Sequence, residues 1–288
     1  MRKIAALLTC HNRKEKTLRC LEHLYTAKGS QENILLSVYL TDDGSTDGTY
    51  DAVSKEFPEV TILKGNGNLF WAKGMNNSWT EALKKEYDGY LLINDDTFVE
   101  SNLFHQITTS EAKCLEKYGR KGVYVGTTYD ESSKSITYGG SIILNRFLYT
   151  SKRLDPNGDI QACHLSNANI LYVDASVISE VGILSKGYAH GIADYDYSLK
   201  CVRKKLPVII MPDFNGICEY DHKDMYHDFA SKSLKDRVSY LYNPRGIDFK
   251  SRVRYMKKFF PFRFPFFYTM GWLKVLFPKF YLVIFRNR

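Results

Sequence analysis

Ile34-Leu35-Leu36-Ser37-Val38-Tyr39-Leu40 runs directly into Thr41-Asp42-Asp43-Gly44-Ser45-Thr46-Asp47-Gly48. A short apolar run that breaks into acids and glycines reads as a buried strand whose end meets solvent. A helix is predicted next, over Thr49–Glu56. Working outward, Ile4–Thr9 is a similar run. It is followed by a predicted helix, Lys14–Ala27, in which Leu18, Leu21 and Leu24 recur at helical spacing. On the other side come a strand at Val60–Leu63, a helix at Ala72–Lys85 and a strand at Tyr90–Ile93. That last strand ends at Asn94-Asp95-Asp96-Thr97. Strands alternating with helices predict an α/β fold with a mainly parallel sheet and right-handed crossovers. Ligands of such sheets bind beyond the carboxyl ends of the strands. The polar clusters His11–Arg13, Asp42–Ser45 and Asn94–Thr97 all fall at such ends.

Beyond Val99 a helix is expected across Asn102–Tyr118, with strands at Val123–Thr128, Ser135–Leu144, Asn169–Val173 and Val208–Met211. Helices are expected at Ala175–Val181 and Tyr195–Lys204. Arg146–Ile160 reads as a polar loop around Asp155-Pro156-Asn157-Gly158. The 288 residues suit one large domain, or one domain with an appendage. The six cysteines are scattered and none forms C-x-x-C, which argues against a zinc ribbon or a disulfide scaffold. The apolar run at the start is too short for a signal peptide, so a reducing cytoplasm is expected.

The net charge of +8 is unevenly spread. No acid follows Asp248, whereas ten Lys and Arg stand between Lys250 and Arg288, so the body is close to neutral. A nucleic-acid-binding enzyme would carry its basic surface on the working domain, and no nucleic-acid partner is expected here.

Carboxylates dominate the strand ends. Asp95-Asp96 would make a hard oxygen site suited to Mg²⁺ or Mn²⁺; the simpler alternative is a solvated turn with an N-cap. Asp42 and Asp43 could accept from a base imide or ribose hydroxyls, while Ser45, Thr46 or Asp47 could cap the next helix. Asp194 and Asp196 flank Tyr195. Residues two apart do not share a helix face, so one could face a ligand as a general base while the other caps.

In this order the pieces resemble the inverting family 2 glycosyltransferases with the GT-A fold, over about Lys3 to Gly246. Ala6–Arg13 looks like that family's opening strand and nucleotide-contacting turn, which implies donor contacts for Thr9, Asn12 and Arg13. Thr41–Thr49 matches its aspartate-rich motif and implies donor contacts for Asp42 and Asp43. Gly67-Asn68-Leu69-Phe70-Trp71-Ala72-Lys73-Gly74-Met75-Asn76 is similar to its asparagine-glycine-aromatic loop. There Asn68, Lys73 and Asn76 are implied on the donor and Trp71 on the acceptor sugar, although Phe70 and Lys73 stand where glycines are usual. Leu92–Thr97 looks like the D-x-D metal motif with Asn94 in place of the first acid. Asn94 and Asp95 are then implied on the donor, and Asp96 with Asp95 on the metal. Ile192-Ala193-Asp194-Tyr195-Asp196 resembles the segment of the catalytic base. Ala193 replaces a glutamate there, which leaves Asp194 as the base and His190 and Asp196 as acceptor contacts. His222 is a further metal ligand by resemblance, with His227 an equal local alternative. Tyr240–Gly246 resembles a stretch of the rhamnosyl- and galactofuranosyltransferase branch.

The resemblance implies a hexosyl- or deoxyhexosyltransferase using a UDP- or dTDP-linked donor and a glycan or lipid-linked acceptor in surface polysaccharide synthesis. A non-catalytic nucleotide-sugar-binding protein and a sugar-nucleotide pyrophosphorylase are the alternatives. Residues 1–246 would form the GT-A domain. Residues 247–288 would form a separate segment holding the protein peripherally on the inner membrane face. Thirteen aromatic side chains interleave with cations between Tyr255 and Arg288. Pro265, Lys274, Pro278 and Lys279 interrupt any spanning helix, and the composition suits the headgroup region.

Overall fold

A computed structural model describes residues 1–29, 31–220 and 229–285, apart from the side chains of residues 282, 284 and 285. The first half alternates as expected: β1 (Arg2–Cys10), α1 (Lys14–Gly29), β2 (Ile34–Asp42), α2 (Thr49–Glu56), β3 (Thr61–Lys64), α3 (Phe70–Ala82) and β4 (Gly89–Ile93). Then come β5 (Phe98–Val99), α4 (Leu103–Tyr118), β6 (Val123–Tyr129), β7 (Gly140–Asn145), β8 (Thr150–Arg153), β9 (Gln161–Ala162), β10 (Leu165–Ser166) and β11 (Ile170–Asp174). The chain continues through α5 (Ala175–Val181), α6 (Ala193–Arg203), β12 (Val208–Ile217), α7 (Leu234–Tyr242), α8 (Phe249–Phe259), α9 (Phe264–Leu276) and α10 (Pro278–Phe285).

The main sheet runs β3-β2-β1-β4-β11-β6-β12-β5, with β9 paired to β12. Alternate residues of β1 enter opposite layers. Ile4, Ala6 and Leu8 pack with Leu21, Leu24 and Phe104, whereas Ala5 and Leu7 pack with Met75, Trp79 and Tyr197. Both faces are covered, which is why the strand is apolar throughout rather than alternating. β1, β2, β3 and β4 are parallel, and so are β6 and β12. β11 is antiparallel to both its neighbours, β4 and β6. It starts where β4 ends, because Asn94 N–H donates to the Asn169 carbonyl at 3.2 Å. The expected loop at Arg146–Ile160 contains β8, which pairs with β7 and, through it, with β10 in a small second sheet.

The register sets the site. Pairing along β1 and β2 runs from Arg2↔Ile34 to Cys10↔Asp42, so both strands end together. Their loops then interlock. Asn12 N–H donates to Ser45 Oγ at 2.9 Å, and Thr46 N–H donates to Asn12 Oδ1 at 2.7 Å. Asp47 accepts from Lys14 N–H at the start of α1 and from Thr49 N–H at the start of α2. Helix α3 reaches β1 closely, because Gly74 faces Thr9 with no room for a Cβ.

The C-terminal segment corrects the expected boundary after Gly246. Lys250, Arg252, Arg254 and Lys257 read as a basic run, yet α8 buries Tyr255, Met256 and Phe259, and Phe260 follows. These four pack with Ala72, Tyr188, Ala193 and Leu199 of the body. Lys258 Nζ reaches Asp196 Oδ1 at 2.6 Å. The face buried on the body is mainly apolar, with Lys258 spent on the buried Asp196, while Lys250, Arg252, Arg254 and Lys257 are exposed, a pattern hidden when charge is averaged over the segment. Helix α9 crosses α8 where Gly271 meets the Phe249 ring. Beyond α8 the aromatics turn outward: Phe262 is 87% exposed, and Phe266, Phe277 and Phe280 are also exposed. Among the described residues no helix is long and apolar enough to cross a membrane.

Burying an aromatic or aliphatic side chain is worth roughly 1.5–3 kcal/mol, so Tyr255, Met256, Phe259 and Phe260 together rival the net stability of a domain. A chain truncated after Gly246 is therefore expected to lose its cooperative thermal transition. A truncated chain that melts like the full one would show that α8 is dispensable.

Candidate active site

A cleft of about 860 Å³ opens at the carboxyl ends of β1, β2 and β4. Its floor is built by the interlocked loops. Thr9, Asn12 and Arg13 line it, as do Asn94, Asp95 and Asp96. Asp194, Trp71 and His190 line it as well. With Asp43, ten of the residues singled out from sequence thus meet in one place, from strands and helices far apart in the chain.

Asp95 and Asp96 sit directly beyond β4 and are largely withdrawn from solvent. The Arg13 guanidinium answers their charge, with Nη1 at 3.3 Å from Asp95 Oδ1 and 2.5 Å from Asp96 Oδ2. Burial, and then the neighbouring Asp96, push the Asp95 carboxyl up to about 7 against the pull of Arg13. The other oxygens, Asp95 Oδ2 and Asp96 Oδ1, are buried without a hydrogen-bond partner. Two adjacent carboxylates, each with one buried oxygen left over, fit a hard divalent cation. Among the described residues no group of three or more His, Cys, Asp or Glu converges. Mg²⁺ commonly uses one or two carboxylates and takes its remaining oxygens from water and phosphate. His222 and His227 lie outside the described residues. Asn94 stands beside this pair and accepts from Trp71 Nε1–H at 2.7 Å, which fixes the indole on the cleft wall.

Asp194 opens α6. Its Oδ1 accepts from Tyr195 N–H at 2.8 Å and its Oδ2 from Ala168 N–H at 3.2 Å. Burial dominates these bonds and pushes the carboxyl up to about 6. A carboxylate held near neutrality at the edge of a cleft is suited to proton transfer.

Other expected contacts fall elsewhere. Asp42 is buried and its Oδ1 accepts from Ser45 N–H at 2.9 Å, so it closes the turn and does not line the cleft. Asp43 reaches the cleft, but its carboxylate is occupied by three backbone donors: Gly67, Leu69 and Phe70. It pins residues 65–70 to β2 and delivers Trp71, while its carbonyl meets His11 Nδ1 at 2.7 Å. Asn68, Lys73 and Asn76 lie outside the cleft. Lys73 faces solvent because α3 turns its small and apolar face, with Ala72 and Gly74, inward. Asp196 is 0% exposed and bonds Ser185, Tyr188 and Lys258, so it anchors α8 and is no acceptor contact. The two-residue offset from Asp194 does separate their directions, with the outward carboxylate first.

Sequence reasoning assigned no role to Tyr138, Asn167, Arg245, Asp248 or Arg252, all of which line the cleft. Arg245 lies in the Tyr240–Gly246 stretch already singled out. The others carry no local pattern: Tyr138 and Asn167 come from loops, and Asp248 and Arg252 come with α8.

The sequence pattern of glycosyl transferase family 2 matches residues 6–167. The chain belongs to this family. No curated protein matches it in sequence. Among solved structures, this family 2 chain is similar to a mannosyltransferase from Pyrobaculum calidifontis in complex with GDP-Man and Mn²⁺. The identity is 14% and the TM-score 0.54, over 83% of this chain and 65% of the other. It is also similar to TarS 1–349 of S. aureus in complex with UDP-GlcNAc, at 13% identity and TM-score 0.50, over 84% and 64%. The UDP complex of the same protein gives 12% and 0.51, over 84% and 66%. The chain thus spans just under two thirds of the length of these neighbours. At such identities the likeness is one of fold, and it places the mixed sheet and its flanking helices in the GT-A architecture.

Proposed function

We propose that the chain is an inverting glycosyltransferase. It moves a hexosyl or deoxyhexosyl group from a UDP- or dTDP-linked donor to a hydroxyl of a glycan, lipid-linked in surface polysaccharide synthesis. The observation that carries the reading is one cleft holding two kinds of carboxylate: the Asp95–Asp96 pair with Arg13, and the isolated Asp194 with its raised pKa. The neighbours solved with GDP-Man and UDP-GlcNAc support a nucleoside-diphosphate sugar as donor.

The chemistry is a single displacement. Asp194 takes the proton of the acceptor hydroxyl. The freed electron pair attacks the anomeric carbon on the face opposite the diphosphate. As that C–O bond forms, the bond to the leaving phosphate oxygen breaks, its electron pair leaves with the nucleoside diphosphate, and the configuration inverts. Asp95 and Asp96 would hold Mn²⁺ or Mg²⁺, which when bound neutralises the departing charge. Arg13 adds positive charge at the same end. Trp71 offers a ring and His190 a polar edge to the acceptor. Asn12 and Thr9, at the end of β1, border the nucleotide.

The surface beyond α8 supports peripheral attachment to the cytoplasmic membrane face. Exposed Phe262, Phe266, Phe277 and Phe280 stand among Arg263, Lys274 and Lys279. Such aromatics enter the headgroup boundary while cations meet anionic lipid.

Four outcomes are expected. Asp194→Asn should keep donor affinity by calorimetry and lower kcat at least about 10²-fold, the usual worth of general-base help. In the unmodified chain kcat/KM should fall tenfold per pH unit below about 6, as Asp194 takes up its proton, and level off above it. A rate that ignores Asp194→Asn would move the base elsewhere. Asp96→Ala should weaken Mn²⁺ binding, read by electron paramagnetic resonance with UDP present, at least tenfold. Unchanged Mn²⁺ affinity would place the cation away from β4. Phe277→Asp with Phe280→Asp should abolish co-sedimentation with phosphatidylglycerol vesicles and spare the melting temperature. Undiminished sedimentation would contradict the attachment.

A further inference from the structure

Asp248 immediately precedes α8, where an aspartate ordinarily caps the helix. Here its side chain makes no cap bond, and its backbone is left-handed at φ 47°. The residue is 8% exposed, lines the cleft, and leaves Oδ2 buried without a hydrogen-bond partner. Neither capping nor ion pairing explains it. A strained, desolvated carboxylate costs stability, and such a cost is characteristic of a residue kept for a ligand.

Its surroundings say which ligand. Arg245 and Arg252 line the same cleft. Arg245 stacks over the Phe70 ring at 5.9 Å, and Arg252 donates through Nε to the Ile247 carbonyl at 2.8 Å. A buried carboxylate oxygen without a partner calls for a donor, and the guanidinium groups lining the same cleft call for an acceptor. A sugar fits, because each hydroxyl both donates and accepts. The start of α8 lies on the base side of the cleft. Ser251, in the first turn of α8, accepts from Ala189 N–H at 3.4 Å, next to His190 and near Asp194 in sequence. Tyr149 lies within electrostatic reach of both Arg252 and Asp194.

We propose that Asp248 is a specificity-determining residue of the acceptor subsite, accepting hydrogen bonds from acceptor-sugar hydroxyls adjacent to the attacking one. This rests on the transferase reading above. It makes the C-terminal segment part of the active site rather than only an attachment device.

The test uses the full chain with a panel of p-nitrophenyl hexosides and 6-deoxyhexosides as acceptors, read by release of nucleoside diphosphate. For the best acceptor, monodeoxy analogues are compared in the unmodified chain and in Asp248→Asn and Asp248→Ala. Acceptor KM should rise at least tenfold in both variants, with donor Kd unchanged by calorimetry. One monodeoxy analogue should be used at least tenfold less well than its parent by the unmodified chain, and less than twofold less well by Asp248→Ala. A lost donor affinity would assign Asp248 to the donor sugar, and unchanged acceptor KM would give it no ligand; either overturns the proposal. Asp248→Gly should raise the melting temperature, since it relieves both the left-handed backbone and the buried carboxylate. A lowered melting temperature would make Asp248 structural and sink the proposal without reference to activity. If the unmodified chain turns over no donor with any acceptor, the transferase reading fails, which the melting experiment distinguishes.

Discussion

Two carboxylates at the end of a buried strand must be given positive charge, and the architecture around β4 is arranged to supply it. Asp95 and Asp96 follow, after Asn94, a strand whose residues are all buried. Like charges this close cannot both ionise cheaply out of water. Arg13 meets one oxygen of each, and one oxygen of each is left without a partner. Arg13 can reach them because β1 lies beside β4, with Leu7 paired to Leu92. The parallel register of the sheet and the charge of the cleft are therefore one constraint seen at two scales.

The same register explains what was legible in the sequence. Apolar runs ending in polar clusters located β1, β2 and β4 and the edge on which their loops gather, because both follow from strand burial and chain direction. Which carboxylate of an adjacent pair faces the ligand was not legible. Asp42 closes its own turn and Asp43 holds the loop at residues 65–70, so both are consumed by backbone donors. Asp194 and Asp196 differ in the same way. The first faces the cleft, and the second is matched to Lys258, a residue 62 positions later that no local pattern announces.

The C-terminal segment shows where charge counting misleads. Ten cations and a dense set of rings read as one surface, yet the rings divide. Tyr255, Phe259 and Phe260 join the core, whereas Phe262, Phe266, Phe277 and Phe280 face outward. The division follows helix phase: α8 lays Tyr255, Met256 and Phe259 on Tyr188 and Leu199, spends Lys258 on Asp196, and leaves Lys250, Arg252, Arg254 and Lys257 exposed. By docking there, α8 brings Asp248 and Arg252 to the cleft, so stability and specificity are linked through one helix.

The central claim is that Asp194 activates an acceptor hydroxyl for a single displacement at the anomeric carbon. The most direct measurement is the anomeric configuration of the first product formed, read by proton NMR from a donor of known configuration before any mutarotation. The account predicts the opposite configuration to that of the donor. Retention would contradict it, because it demands either two displacements or attack from the face of the leaving group, and neither gives Asp194 the role argued for it.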